Sequence, residues 1–172
     1  MRFGGGLVFA TGLAFAASLA LGGAESAQDI TIGVAGPMTG QYASFGTQLR
    51  NGAEAAIADI NAKGGVLGKK LKLEVGDDAC DPKQARAVGE KFASEKVPFV
   101  AGHYCSSSSI PASEAYADGN VLQITPASTN PKFTDSGLWN VARVCGRDDQ
   151  QGLVAAQYIA KNFKGKNIAI LN

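Results

Sequence analysis

The sequence holds a single histidine, three cysteines and one tryptophan, and only 8% of its residues are aromatic. One histidine cannot supply the imidazole set of a zinc site, and no cysteine stands in a CxxC or Cys/His spacing that suits a metal. Neither a metal nor a cofactor is therefore expected. Charge is also scarce, at 18% of residues with a formal net charge of +1. That balance supplies no basic field for nucleic acid, and no stretch interleaves aromatics with lysine or arginine, so no nucleic-acid partner is expected. A GxGxxG turn after the first strand and a Walker loop are both missing, which argues against nucleotides. No GxSxG elbow is present for a serine hydrolase.

Long apolar runs are lacking too. Leu7 to Leu21 carries no charge, but its about 15 residues fall short of the ~20 that a spanning helix requires. Arg2 precedes this run, and the small residues Gly22–Ala27 follow it, interrupted by Glu25. Basic, apolar, then small is the order of a secretory signal, so residues 1–27 are expected to be a signal peptide. Cleavage falls between Ala24 and Gln28, with bonds after Ser26 and after Ala27 both open. No cysteine lies near the junction, so no lipid anchor is expected and the mature protein is assigned to the periplasm. Disulfides persist in exported chains. Three cysteines, Cys80, Cys105 and Cys145, allow at most one pair within the chain.

What is present is an alternation of strand and helix patterns in a chain with 45% hydrophobic residues, enough for a folded core. Ile30–Val34 reads as a buried strand, broken by Gly36–Gly40. Leu49, Ala53, Ala56, Ile57 and Ile60 recur at helical spacing up to Gly64–Gly65, a helix-terminating pair. Leu71, Leu73 and Val75 alternate with polar residues as a half-buried strand. Asp81-Pro82 opens a second helix by capping, with Ala85, Val88 and Phe92 as its apolar stripe. Val97–Ala101 is a third strand, Ser106 to about Ala117 a third helix, Val121–Thr125 a fourth strand and Leu138–Val144 a fifth. Asp148–Asn162 is a helix with Leu153, Ala156, Ile159 and Ala160 facing inward, and Ile168–Leu171 begins a further strand. The expected fold class is α/β, a parallel sheet with helices on both faces. A final strand with no covering helix leaves an open edge, so the chain is expected to be incomplete.

Ligands of such sheets bind beyond the carboxyl ends of the strands. Gly102–Ser109 lies where strand three turns into helix three, and a helix N-terminus offers free N–H groups for an anion. Thr125–Thr129 follows strand four at the same edge, where Pro126 holds the loop extended and leaves backbone groups of Ala127 and Thr129 free. Two uncharged polar loops on one edge suit a small zwitterion. His103 and Cys105, two apart on a strand, also permit a thiol-enzyme reading. An exported cysteine is more often bonded, however, and a lone histidine more often packs locally. Pairing Cys80 with Cys105 closes a loop of about 25 residues, worth roughly 3–4 kcal/mol. In a 2-1-3 strand order, though, their strands are not neighbours.

Asp59–Gly65, Asp77–Ala85, Gly102–Ser113 and Ile124–Ala127 closely resemble the periplasmic leucine/isoleucine/valine-binding proteins, and the resemblance extends over residues 28–172. It implies a type I periplasmic-binding fold, a non-enzymatic subunit that captures branched-chain amino acids for an ABC importer. It implies lobe one, incomplete, at 28–147 and the start of lobe two at 148–172. It also implies a Cys80–Cys105 disulfide, Ser106, Ala127 and Thr129 on the ligand's carboxylate and ammonium, and Phe45 against the ligand. Tyr104 falls at a pocket wall that is aliphatic in the leucine/isoleucine/valine protein, so leucine, isoleucine, valine or a related apolar amino acid all remain open. Expected partners are that ligand and the importer's permease subunits in the inner membrane, with the receptor itself a monomer. With the second lobe's contacts absent, the chain alone is expected to bind weakly or not at all. An exported sensor for amides or amino acids on the same fold is the alternative.

Overall fold

The computed structural model describes Met1 and residues 28–170. The expected signal segment apart from Met1, and Leu171 at the end of the last expected strand, therefore lie outside the described residues. In chain order the elements are β1 (Ile30–Gly36), α1 (Ala43–Ala62), β2 (Leu71–Asp77), α2 (Pro82–Ser94), β3 (Phe99–Gly102), α3 (Ser106–Asp118), β4 (Leu122–Thr125), α4 (Lys132–Asp135), β5 (Val141–Arg143) and α5 (Asp148–Asn162). The strands form one parallel sheet ordered β2-β1-β3-β4-β5. Ile30 pairs with Leu71 and Gly36 with Asp77, so β1 and β2 end level with one another.

Alternation along the strands assigns the two faces. Ile32, Leu71, Phe99 and Ala101 lie toward Ala53, Ala56 and Ile57 of α1. Gly33, Gly76 and Val100 face the other way, where a Cβ on Gly33 or Gly76 would strike Phe92 of α2. Helices therefore cover both faces. α2 and α3 pack on each other through small residues, with Gly89 against Ala112 and Ala115. The core gathers Ala35, Ala85, Phe92, Val97, Val100, Ala112, Tyr116 and Val121. Asp81 caps α2 as its sequence suggests, its carboxylate accepting from the N–H groups of Lys83 and Gln84, both at 2.9 Å.

Four expectations need correction. β3 starts two residues late, because the Val97 N–H closes the end of α2 on the Phe92 carbonyl and Pro98 has no N–H to give the ladder. β5 is three residues rather than seven, since Leu138 and Trp139 have no strand opposite and Trp139 is exposed. α5 forms over the expected residues but buries none of them: Leu153, Ala156 and Ala160 are exposed and Ile159 is only half-buried, because no described element packs on that stripe. Residues 167–170 have no regular structure, as no neighbouring strand among the described residues offers a ladder.

Phe92 is fully buried beneath both Gly33 and Gly76. Phe92→Ala is expected to cost about 3–5 kcal/mol, read as a lower urea midpoint at unchanged slope.

Candidate functional site

Level parallel strands bring the loops after β1, β2, β3 and β4 to one edge, and four contacts shape them there. The first is Asp77, whose Oδ1 accepts the N–H groups of Met38 at 2.8 Å, Thr39 at 3.2 Å and Ala79 at 3.0 Å. Its Oδ2 accepts the Thr39 hydroxyl at 2.6 Å. Partial burial works to raise the Asp77 carboxyl, but the Thr39 hydroxyl and these three N–H groups outweigh it and hold the acid below the usual carboxylate range.

The second contact is covalent. Cys80 and Cys105 form a disulfide with Cα atoms 5.6 Å apart. Their strands do flank β1, as the strand order requires, and the loops after them bend toward each other to close the bond. Ala79 and Cys80 take positive φ, at 46° and 58°, which turns the β2 loop inward. The thiol of Cys105 is thereby removed as a nucleophile, and the thiol-enzyme reading falls. Cys145 remains unpaired. It is half-buried in the loop after β5, and its Sγ lies 3.5 Å from the Ser128 carbonyl.

Third is the buried His103. Its Nδ1 lies 2.5 Å from Asp78 Oδ2 and its Nε2 3.0 Å from the Tyr116 hydroxyl. Burial, with the nearby Asp78 charge, raises the Tyr116 phenol far above its ordinary value, so the hydroxyl keeps its proton. The fourth is Arg143 of β5, which donates to the carbonyls of Ser128 at 2.6 Å and Asn130 at 2.8 Å while lying over the Phe133 ring. It props the loop after β4 from below.

On this frame Phe45 and Tyr104 stack with ring centroids 4.5 Å apart and planes at 14°. With Ala127 they line one open groove of about 490 Å³, whose floor is the small side of α1, Gly52, Ala53 and Ala56. Ser106 and Thr129 lie outside that lining. Ser106 begins α3 and its Oγ accepts the Asn130 N–H at 3.3 Å, which ties it to the β4 loop and leaves its own proton to donate. No side chain of the N-cap residue satisfies the α3 first turn. The Ala127 N–H is not free as expected, since it donates to Thr125 Oγ1 at 3.2 Å, so only its carbonyl is uncommitted. The Thr129 carbonyl accepts from Asp148, whereas its hydroxyl and N–H have no partner among the described residues. Asp77, Asp78, Arg143, Ser128 and Tyr116 were missed from sequence as builders of this edge. The Asp77-Asp78 pair at a strand end was the available signal, because adjacent acids there point to opposite sides of the chain and can serve two loops.

The profile of the "Periplasmic binding protein" family matches residues 29–172, and the chain belongs to that family. It is 49% identical over 162 residues to the "Leu/Ile/Val-binding protein homolog 1" of Brucella abortus, covering 94% of this chain and 43% of the relative. It is 51% identical over 162 residues to an "Amino acid binding protein" of Pseudomonas aeruginosa, with 93% and 43% covered. Among solved structures it resembles an ABC transporter substrate-binding protein of Desulfitobacterium hafniense in complex with Leu, at 34% identity and a TM-score of 0.66, covering 77% of this chain and 39% of that one. It also resembles the branched-chain amino acid transporter substrate-binding protein LivJ of Streptococcus pneumoniae in complex with isoleucine, at 27% identity and TM-score 0.72, with 78% and 38% covered. The fold is that of the type I periplasmic binding proteins. The chain spans less than half the length of these curated relatives.

Two outcomes check the frame. Without reductant an alkylating reagent is expected to label one cysteine, Cys145, and after reduction all three, counted by intact mass. Because the folded Asp77 is depressed below its unfolded 3.8, its contribution is complete above that value and lost as pH falls through the folded one. Asp77→Asn is therefore expected to lower stability at pH 7 and to flatten the acid limb of a stability curve below about pH 4.

Proposed function

We propose that this chain is the first ligand-holding part of an exported receptor that captures leucine, isoleucine or valine for an ABC importer. The observation that carries this is the convergence of an uncapped α3 N-terminus, the Ser106 hydroxyl and the free Thr129 donors beside an apolar aromatic-walled groove. A zwitterion with an apolar side chain needs both surfaces together. The kinship with relatives named for leucine, isoleucine and valine supports the same ligand class. In this reading Ser106 and the first turn of α3 hold the carboxylate, and the Ala127 carbonyl takes the ammonium. Thr129 adds its hydroxyl and N–H, and Phe45 and Tyr104 flank the side chain.

Residues 1–27 direct export and are removed. Residues 28–147 form lobe one and residues 148–172 begin lobe two, whose closure over the ligand presents the receptor to the membrane permease. The apolar stripe of α5 then finds its cover in lobe two. The receptor acts as a monomer and carries out no catalysis.

Calorimetry tests this directly. The chain alone is expected to bind leucine, isoleucine or valine weakly, with Kd above about 10 µM, because an open site leaves its hydrogen bonds in water. Ser106→Ala is expected to weaken binding roughly tenfold, and Tyr104→Leu to change the order of preference among the three. No heat with any of the three at about 10 mM, from a folded chain, would reject the ligand class.

A further inference from the structure

Asp78, His103 and Tyr116 are all fully buried, and none of them lines the groove. His103 precedes Tyr104 and Cys105 directly, and Asp78 stands two residues before Cys80. A carboxylate oxygen only accepts, so Nδ1–H donates to Asp78 Oδ2, and in that neutral tautomer Nε2 accepts the Tyr116 O–H. Asp78 Oδ1 accepts the Cys80 N–H at 2.7 Å. A buried ring satisfied at both nitrogens has one acceptable orientation, and that orientation fixes the backbone carrying it.

The backbone of His103 is where the consequences appear. Its carbonyl accepts the Thr125 hydroxyl at 2.6 Å, and the Ser109 and Ser128 hydroxyls lie within reach of it at 3.3 Å and 3.4 Å, as alternatives to the bond between those two serines. Thr125 Oγ1 in turn accepts the N–H groups of Ala127 and Ser128, at 3.2 Å and 2.9 Å. Ser109 and Ser128 join at 2.7 Å. Hydrogen bonds thus run from the His103 carbonyl to the loop bearing Ala127 and Thr129, and the residue's own backbone joins that carbonyl to the imidazole and to the loop bearing Tyr104 and Ser106.

We infer that His103 is a positioning residue for ligand recognition: the Asp78 and Tyr116 contacts set its ring, and its carbonyl sets the loop after β4 at a fixed distance from the start of α3. The inference rests on the proposed roles of Ser106, Ala127 and Thr129, which hold one small ligand only if the two loops keep that spacing. His103 touches no ligand and acts through the loops.

The sequence has one histidine, so imidazole signals of the ¹⁵N-labelled full chain belong to His103. The expected spectrum is a single tautomer protonated at Nδ1, with that proton in slow exchange. Leucine is expected to shift the amides of Ser106, Ala127 and Thr129. In His103→Phe these amides are displaced already in the free protein, and leucine binds roughly tenfold or more weakly. His103→Gln, whose amide can donate to Asp78, recovers most of that loss, whereas a matched core variant, Val97→Ala, lowers Tm and leaves the leucine Kd unchanged. If His103→Phe does not fold, Tyr116→Phe replaces it, with the same amides displaced and binding a few-fold weaker. Averaged tautomers in the wild type overturn the inference. So does a folded variant that keeps wild-type amide positions and affinity. A wild type that ignores leucine rejects the proposed ligand instead, and the tautomer and free-protein amide positions still decide the role of His103.

Discussion

Parallel pairing is the constraint from which the rest of this structure follows. It sends every strand's carboxyl end to one edge, where ligands of such sheets bind. Five chain segments then leave the sheet side by side with backbone groups the ladder no longer satisfies. Buried backbone donors need partners. Asp77, Asp78 and Thr125 supply them from the strand ends, and Asp81 from the start of α2. The polarity of the edge is thus first a requirement of the fold, and ligand recognition uses what remains uncommitted.

The interior divides accordingly. Beneath α2 the contacts are apolar and tightly spaced, with Phe92 filling the room left by Gly33 and Gly76. Beneath the start of α3 they are polar: His103, Ser109, Thr125 and Ser128 are fully buried and bonded to one another. Each such bond adds only about 0.5–1.5 kcal/mol net, so this half contributes less to stability than the apolar half. Its effect is on geometry, because the Thr125 hydroxyl, donating to the His103 carbonyl and accepting from Ala127 and Ser128, has one place in which all three are met.

The elements themselves were legible in the sequence. Asp81-Pro82 announced α2 and Gly64-Gly65 ended α1, because caps and terminators act within a few residues. Strand limits were less so. Val97 looks like strand, but its N–H is taken by Phe92, a partner that periodicity does not disclose. The stripe of α5 was visible and its burial was not, since burial depends on what packs against it. Of the site, the two loops could be named from residue type and position, and Phe45 and Tyr104 only through the family resemblance. The Asp78–His103–Tyr116 cluster could not, because its members come from the loops just after β2 and β3 and from α3 and meet only after the sheet forms. Likewise the commitment of the Ala127 N–H to Thr125 is a matter of ångströms that Pro126 alone does not fix.

The disulfide and the uncapped helix end bear on each other. Cys105 is the N-cap of α3, a position where serine, threonine or aspartate would fold its own oxygen back on the first turn. Cysteine bonded to Cys80 cannot do so: its sulfur is a weak acceptor and is directed away to the β2 loop. Ser106, next in line, has its oxygen engaged as an acceptor by Asn130. Neither Cys105 nor Ser106 therefore caps the helix, and the N–H groups of Ser106 and Ser107 are left without a partner among the described residues, with the partial positive charge of the helix behind them. A chain with a net charge near zero needs no lysine or arginine to attract a carboxylate there. The disulfide both draws two non-adjacent loops together and keeps the helix end open, so one bond serves the shape of the proposed site and its electrostatics.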